Sequence, residues 1–302
     1  MYPKGLYMYS DYKKVCLVYK ENLLLSDYTT FGIGGIAKFV LFPSSVKELV
    51  SVLNLCRARS EKYEVIGNGS NLLISDKGIK DIVIFTRKLN GYRLQNNYLI
   101  ASCGAKLPAL CNLSCQHSLS GLEFSCGIPA TLGGAIKMNA GAYGHAIGDV
   151  TKCVYVWENG EVFSKKVDFS YRKSSITSSQ VVLGAKLLLE HDDIENINQR
   201  ICSNRLLRQN SQPVEKSAGS IFLKENDVSA GYLIDQAGLK GYSIGGAEVS
   251  TKHAGFIVNK KNATSSDVVK LINEIKKVVY GKFGVNLHTE IRMLGEFDET
   301  IR

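Results

Sequence analysis

Val65-Ile66-Gly67-Asn68-Gly69-Ser70-Asn71 is the stretch on which the reading of this chain turns. Two apolar β-branched residues end a strand. The glycines that follow leave the backbone bare, so successive N–H groups can converge on an anion without obstruction by Cβ. The dinucleotide fingerprint G-x-G-x-x-G is not completed, because Leu72 stands where its third glycine would be. Alone, the run reads equally as a tight turn.

A second run changes the balance. Gly127-Ile128-Pro129-Ala130-Thr131-Leu132-Gly133-Gly134-Ala135 sets a proline and small residues before a short helical stretch, where free N–H groups can face a pyrophosphate. Asn139-Ala140-Gly141-Ala142-Tyr143-Gly144 follows closely, and Gly34-Gly35 lies upstream. Glycines at buried crossings would explain any one of these. Together they favour a cradled nucleotide cofactor.

Around these runs the pattern is mixed. Phe39 to Phe42 reads as a strand, and Ser45 with Glu48 stands in capping-box spacing before a helix carrying Val46, Leu49, Val50 and Leu53. Strands are expected at 64–66, 82–86 and 98–102, and a helix at about 109–117. A hairpin is expected to turn at Asn159-Gly160, followed by a strand over 181–190 and a polar helix over 194–208. Farther on we expect a short helix over 232–237 closed by Gly238, and strand-like runs over 241–249 and 254–259. A helix opened by Thr264 and Asp267 carries the stripe Val268, Val269, Ile272, Ile275 and Val279, and a final strand over 285–293 is expected to follow it. The fold class is α+β, and the length of 302 residues suggests two domains.

Composition narrows the function classes. With 45% hydrophobic and 22% charged residues the chain reads as globular. Its net charge of +9 favours anionic partners. The basic pairs are scattered, so neither a nucleic-acid groove nor a membrane surface is expected. Eight cysteines form no C-x-x-C pair, and Cys111, Cys115 and His117 lack a second ligand pair. Buried, reduced thiols and no metal are expected. No apolar stretch of signal-peptide length opens the chain, and a cytoplasmic location is expected.

Seven ordered motifs carry a resemblance. They are Thr29-Thr30-Phe31-Gly32-Ile33-Gly34-Gly35, Gly67-Asn68-Gly69-Ser70-Asn71-Leu72-Leu73, Gly121-Leu122-Glu123-Phe124 onward to Tyr143, Tyr171-Arg172-Lys173-Ser174, Ser217-Ala218-Gly219-Ser220-Ile221-Phe222, Lys252-His253-Ala254-Gly255-Phe256 and Glu290-Ile291-Arg292. From about residue 20 to 296 the chain resembles the UDP-N-acetylenolpyruvoylglucosamine reductases, and its modest length resembles the shorter of that family's two structural types.

The resemblance implies a two-lobed FAD-binding domain of the vanillyl-alcohol-oxidase (PCMH) type and a C-terminal α+β substrate domain. Boundaries are expected at 1–29 for an N-terminal segment, 30–197 for the FAD domain (lobes about 30–97 and 98–197) and 198–302 for the substrate domain. It implies NADPH-dependent, FAD-mediated reduction of a UDP-linked enolpyruvyl sugar to UDP-N-acetylmuramate. No obligate protein partner is inferred. Gly67, Asn68, Gly69, Ser70 and Asn71, with Gly127, Ile128, Pro129, Thr131, Gly133 and Gly134, would hold the FAD phosphates, and Asn139 and Ala140 would lie near the flavin.

Arg172, Ser220 and Glu290 match the family's catalytic positions. An arginine fork suits a carboxylate gathering charge, Ser220 would deliver a proton to carbon, and Glu290 would polarise the enolpyruvyl group. Tyr143, Arg208, Lys216 and Lys224 are substrate-binding candidates by location and charge. His253 is expected to pack in the core. Three features depart from the family pattern. Lys216 stands where proline is common, Leu223 to Asp227 replaces a basic-Pro pair, and Gly32 replaces a longer, often basic residue. Another FAD-dependent oxidoreductase on the same scaffold, such as an alcohol or aldonolactone oxidase, is the alternative. A polyanion binder is a third reading, motivated by charge alone.

Overall fold

Ser45 accepts a hydrogen bond from the Glu48 N–H (3.1 Å), and the Glu48 carboxylate accepts one from the Ser44 N–H (2.7 Å). The first bond satisfies one of the donors a helix start leaves open, the second ties the preceding residue to the same turn, and the helix Val46–Ala58 begins there. Leu49, Val52, Leu53 and Cys56 then fall on one buried face. In the computed structural model, residues 9–225 and 228–298 are described.

The chain forms two compact units, the first made of Phe39–Asn68 and Asp81–Leu206 with the segment ending at Glu21. The second gathers Asn22–Lys38, Gly69–Lys80 and the chain from Leu207 onward. Residues 30–38 and 69–80, which the sequence reading puts in the flavin domain, therefore fold with the C-terminal part.

In the first unit Tyr63–Ile66 and Ile82–Phe85 pair in parallel, with Ile66 opposite Phe85, and Val40 and Leu41 of the strand Ile36–Leu41 pair with Val83 and Ile84 on the other side. The helix Val46–Ala58 carries the chain from Ile36–Leu41 to Tyr63–Ile66, which run parallel on either side of Ile82–Phe85. A second, antiparallel sheet runs Glu161–Lys165, Thr151–Glu158, Val181–Leu188, Tyr98–Ser102, Tyr92–Gln95. Val181–Leu188 is central and buried on both faces along most of its length, which explains why it is apolar except at Lys186. A Cβ on its Gly184 would stand 2.6 Å from the Ala101 carbonyl oxygen, so the crossing requires glycine. One apolar core spans both sheets. Trp157 ties them, donating its indole N–H to Asn54 Oδ1 at 2.8 Å.

The second unit holds an antiparallel sheet ordered Ser217–Ser220, Phe256–Asn259, Ala247–Val249, Ser243–Ile244. The helix Ser265–Phe283 begins with a reciprocal Thr264–Asp267 cap and ends at Gly284 in the left-handed region. Its stripe Val268, Val269, Ile272, Ile275 and Val279 is wholly buried. Leu72–Ile74 pairs in parallel with Arg292–Leu294. Among the described residues no helix is long and apolar enough to cross a membrane.

Two expected elements come out differently. The run 241–249 is a hairpin, because Gly245 (φ +56°) and Gly246 break it, and a Cβ on Gly246 would meet the Lys261 carbonyl oxygen at 2.5 Å. The strand expected over 285–293 is regular only at Arg292–Leu294. Its alternation is present, with Leu287 and Ile291 buried. The backbone bonds, however, go to several loops: the Glu290 N–H donates to the Ile221 carbonyl (2.8 Å), the His288 carbonyl accepts from Leu223 N–H and the Arg292 N–H donates to the Asn71 carbonyl.

Candidate active site

The loop after the strand Tyr63–Ile66 is held by its carbonyls. Arg87 Nε donates to the Gly67 carbonyl oxygen and Arg87 Nη2 to that of Asn68, both at 3.3 Å. Gly69 O accepts from the Thr30 N–H at 3.2 Å. Across a planar trans peptide the N–H points opposite to the C=O, so anchoring these carbonyls turns the N–H groups of Asn68, Gly69 and Ser70 the other way. Among the described residues, the N–H groups of 67–71 donate to no protein acceptor. Arg87 was not singled out in the sequence, since a lone basic residue after a strand carries no signal of this role.

Thr131 lies against the same loop. Its side chain is buried, yet Oγ1 has no hydrogen-bond partner among the described residues. A Cβ on Gly67 would stand 2.2 Å from that oxygen. Asn68 Nδ2 donates to the Pro129 carbonyl at 2.7 Å, fixing the loop to the second glycine run. Of that run, Leu132 and Gly133 already give their N–H groups to the Ala105 and Cys103 carbonyls, and Ile128 gives its own to Ser125. Among the described residues the N–H groups of Gly127, Thr131 and Gly134 in that run donate to no protein acceptor, and with the Thr131 hydroxyl they remain for a ligand. Gly133 is required for the close approach to Cys103, whose Cβ would lie 2.9 Å from an added Cβ. A buried hydroxyl without a partner beside a row of unengaged amides fits a phosphate-bearing cofactor.

The helix Leu132–Met138 starts at Thr131 and ends at Asn139, which adopts the left-handed conformation (φ 43°, ψ 57°). Asn139 Nδ2 donates to the Ser170 carbonyl at 2.9 Å and its Oδ1 accepts from the Gly148 N–H at 3.0 Å. Ala140 donates its N–H to Ala135 O and accepts from Ile147 N–H through its carbonyl. Tyr143 and Gly144, both at positive φ, form the tip of the hairpin Gly141–Ala142/His145–Ala146. Arg172 occupies the tip of the hairpin Phe169–Ser170/Lys173–Ser174 at φ +54°, and its Nη2 donates to the Gly141 carbonyl at 3.0 Å. Ser174 Oγ donates to the Lys137 carbonyl at 2.9 Å, fastening this hairpin to the helix.

In the second unit, Ser220 ends the strand Ser217–Ser220, and its hydroxyl donates to the Phe222 carbonyl at 3.0 Å. Glu290, far away in sequence, is held beside it by the bond from its N–H to Ile221 O, and Asn71 Nδ2 donates to the Glu290 carbonyl at 3.2 Å. Lys216 is exposed and runs over Gly32: a Cβ on Gly32 would stand 2.7 Å from Lys216 Cδ. Arg208 is half-buried near the end of the helix Ile194–Ser211, and Lys224 is exposed after Phe222, with Asn226 and Asp227 of that loop outside the described residues. His253 is half-buried against Gly231 and Phe256, and its Nδ1 accepts from the Gly255 N–H at 3.1 Å. Burial holds its pKa below the usual histidine value.

Cys16, Cys56, Cys103, Cys111, Cys115 and Cys126 are buried, all eight cysteines are free, and burial pushes the Cys103 thiol up to about 12. Such thiols stay protonated and inert.

Comparison with known proteins gives the family. Residues 37–164 match the FAD binding domain family, and residues 211–294 match the C-terminal domain of UDP-N-acetylenolpyruvoylglucosamine reductase. The UDP-N-acetylenolpyruvoylglucosamine reductase of Caldicellulosiruptor bescii is 43% identical over 282 residues, covering 91% of this chain and 90% of the relative. The chain belongs to the UDP-N-acetylenolpyruvoylglucosamine reductase family.

The reductase of Clostridium novyi is 40% identical over 93% of each chain. A crystal structure of UDP-N-acetylenolpyruvylglucosamine reductase from Thermus caldophilus superposes with a TM-score of 0.80 at 35% identity, covering 92% of this chain and all of that one. As a member of the family the chain is a flavin-dependent oxidoreductase with an α+β fold. The matched FAD region contains the loop 67–71 and the run 127–144, and the matched C-terminal domain contains Ser220 and Glu290. Arg172 falls between the two matched stretches.

Proposed function

We propose that the chain reduces the enolpyruvyl ether of a UDP-linked N-acetylglucosamine to UDP-N-acetylmuramate, with NADPH as reductant, and that Arg172, Ser220 and Glu290 carry the substrate chemistry. FAD, when bound, would supply the hydride chemistry, with NADPH as the source of the reducing equivalents. Gly67 to Asn71, Thr131 and Gly134 are the residues that would hold its diphosphate.

Arg172 offers a permanently charged fork to the substrate carboxylate, which gathers charge when the neighbouring carbon becomes carbanionic. Ser220 supplies the proton to that carbon. A hydroxyl is a weak acid, but a carbanion is a strong base, and the Ser220 hydroxyl, which donates to the Phe222 carbonyl here, would turn from it to deliver its proton. Glu290, whose backbone is held by bonds to Ile221 and Asn71, would polarise the enolpyruvyl group. The observation that carries this reading is that backbone bonds from Glu290 to Ile221 and from Leu223 to His288 bring the segment around Glu290 against the one that carries Ser220.

Anaerobic spectra of the purified protein test the proposal. Its flavin absorbance should bleach with NADPH and return on adding the enolpyruvyl sugar nucleotide. A protein that takes up no FAD would defeat it. A flavin that oxidises alcohols with oxygen and ignores the enolpyruvyl sugar would favour the alternative oxidase reading.

A further inference from the structure

Asn139 and Arg172 close a ring. From Asn139 the chain runs through Ala140 to Gly141, whose carbonyl accepts the Arg172 guanidinium at 3.0 Å. From Arg172 it runs back through Tyr171 to Ser170, whose carbonyl accepts the Asn139 amide at 2.9 Å. The other end of the same amide accepts the Gly148 N–H at 3.0 Å. One side chain thus ties the Arg172 hairpin to Gly148, in the short helix Ile147–Val150 that follows the other hairpin, and only 8% of Asn139 is exposed, so water does not compete for these bonds.

The backbone makes the clamp stiff. Asn139 caps its helix in the left-handed region and Arg172 turns its hairpin in the same region, a conformation asparagine tolerates and arginine adopts only under constraint. Ser170 pairs with Lys173 directly across the Arg172 turn, so a displacement of Ser170 moves the turn itself. A Cβ on Gly148 would fall 2.9 Å from Asn139 Oδ1 and 2.7 Å from Phe169 Cγ, which shows how little slack the arrangement has.

We infer that the Asn139 side chain is a positioning residue for Arg172, fixing the direction in which the guanidinium meets the substrate carboxylate, and that it acts on substrate reduction rather than on cofactor binding. The inference rests on the proposed role of Arg172. A misplacement of about 1 Å costs on the order of 10²-fold in rate, and that is the scale expected here.

The test is a double-mutant cycle read in the two half-reactions of the FAD-loaded enzyme. Asn139→Gly keeps the left-handed backbone and removes both side-chain bonds. It should slow flavin reoxidation by the enolpyruvyl sugar roughly 10- to 100-fold, with flavin reduction by NADPH changed less than about threefold. Added to Arg172→Ala, it should slow reoxidation no further, because its effect passes through the arginine. Asn139→Asp, which keeps size and the acceptor but loses the donor toward Ser170, serves the same cycle if the glycine variant does not fold, whereas a folded glycine variant that no longer holds flavin would overturn the inference. Losses that multiply with Arg172→Ala, or that fall equally on both half-reactions, would overturn the inference. Arg172→Ala that reoxidises at the wild-type rate would overturn the proposed role of Arg172, and this inference with it.

Discussion

Gly67 and Thr131 face one another so closely that a Cβ on the glycine would lie 2.2 Å from the threonine Oγ1, an oxygen that is buried and has no partner among the described residues. A buried hydroxyl left unsatisfied costs about 1–3 kcal/mol. If a bound phosphate group satisfies it, Thr131→Val should move two properties in opposite directions. The FAD-free protein should be as stable as wild type or more so, while FAD affinity falls roughly tenfold, the scale of one hydrogen bond to a charged group. Flavin fluorescence titration and thermal unfolding of the FAD-free protein measure the two. Unchanged affinity would remove Thr131 from the cofactor site.

Ser220 points its hydroxyl at the Phe222 carbonyl, 3.0 Å away, in a strand fixed by pairing with Phe256. Ser220→Ala should therefore leave the backbone in place and flavin reduction by NADPH nearly intact, while slowing reoxidation by the enolpyruvyl sugar roughly 10²-fold or more. Stopped-flow absorbance separates the two steps. Equal slowing of both would assign Ser220 to structure rather than to proton delivery.

The glycine runs and the alternation of apolar residues were legible because they state local requirements. Gly133 is needed for a close crossing, and the stripe from Val268 to Val279 needs only helical spacing. The strand expected over 285–293 was misread because alternation reports which side is buried and not where the backbone bonds go. There the Glu290 N–H pairs with Ile221 and that of Arg292 with Asn71. Arg87 and the Asn139 clamp were illegible for a similar reason. Each acts on carbonyl groups of distant residues, and a carbonyl leaves no mark in a sequence.

Glu123 gives a pH prediction. It is buried, which raises a carboxyl pKa, but the backbone N–H groups of Glu123 itself and of Gly121, then Arg200 and Ser120, outweigh that and hold it below the usual glutamate value. The Gly121 N–H donates at 2.7 Å, the Ser120 hydroxyl at 2.8 Å, and Arg200 through Nε and Nη2 at 3.0 and 2.9 Å. A depressed folded pKa stabilises the protein above the unfolded value of about 4.3 and stops doing so as pH falls toward the folded one. Glu123→Gln should therefore cost about 1–3 kcal/mol at pH 7, with the difference from wild type shrinking below about pH 4. Urea unfolding across pH 3–7 checks it, and a difference that does not vary with pH would show that the charge is irrelevant.

The two departures at Gly32 and Lys216 meet in space. Gly32 has φ +67°, and a Cβ there would stand 2.7 Å from Lys216 Cδ and 3.3 Å from its Nζ. Asn259 fixes both partners, its Nδ2 donating to the Phe31 and Gly32 carbonyls and its N–H to the Lys216 carbonyl. The lysine stem therefore fills the space where a side chain at residue 32 would begin. A longer residue at 32 must pay the left-handed strain of about 1–3 kcal/mol and must also displace Lys216. Only the second cost disappears when Lys216 is shortened. Gly32→Lys should accordingly be less destabilising in the Lys216→Ala background than alone, by on the order of 1 kcal/mol, the usual coupling between touching residues. Unfolding of the four proteins in urea gives the coupling directly. Strict additivity would mean that the two substitutions share a place without compensating one another.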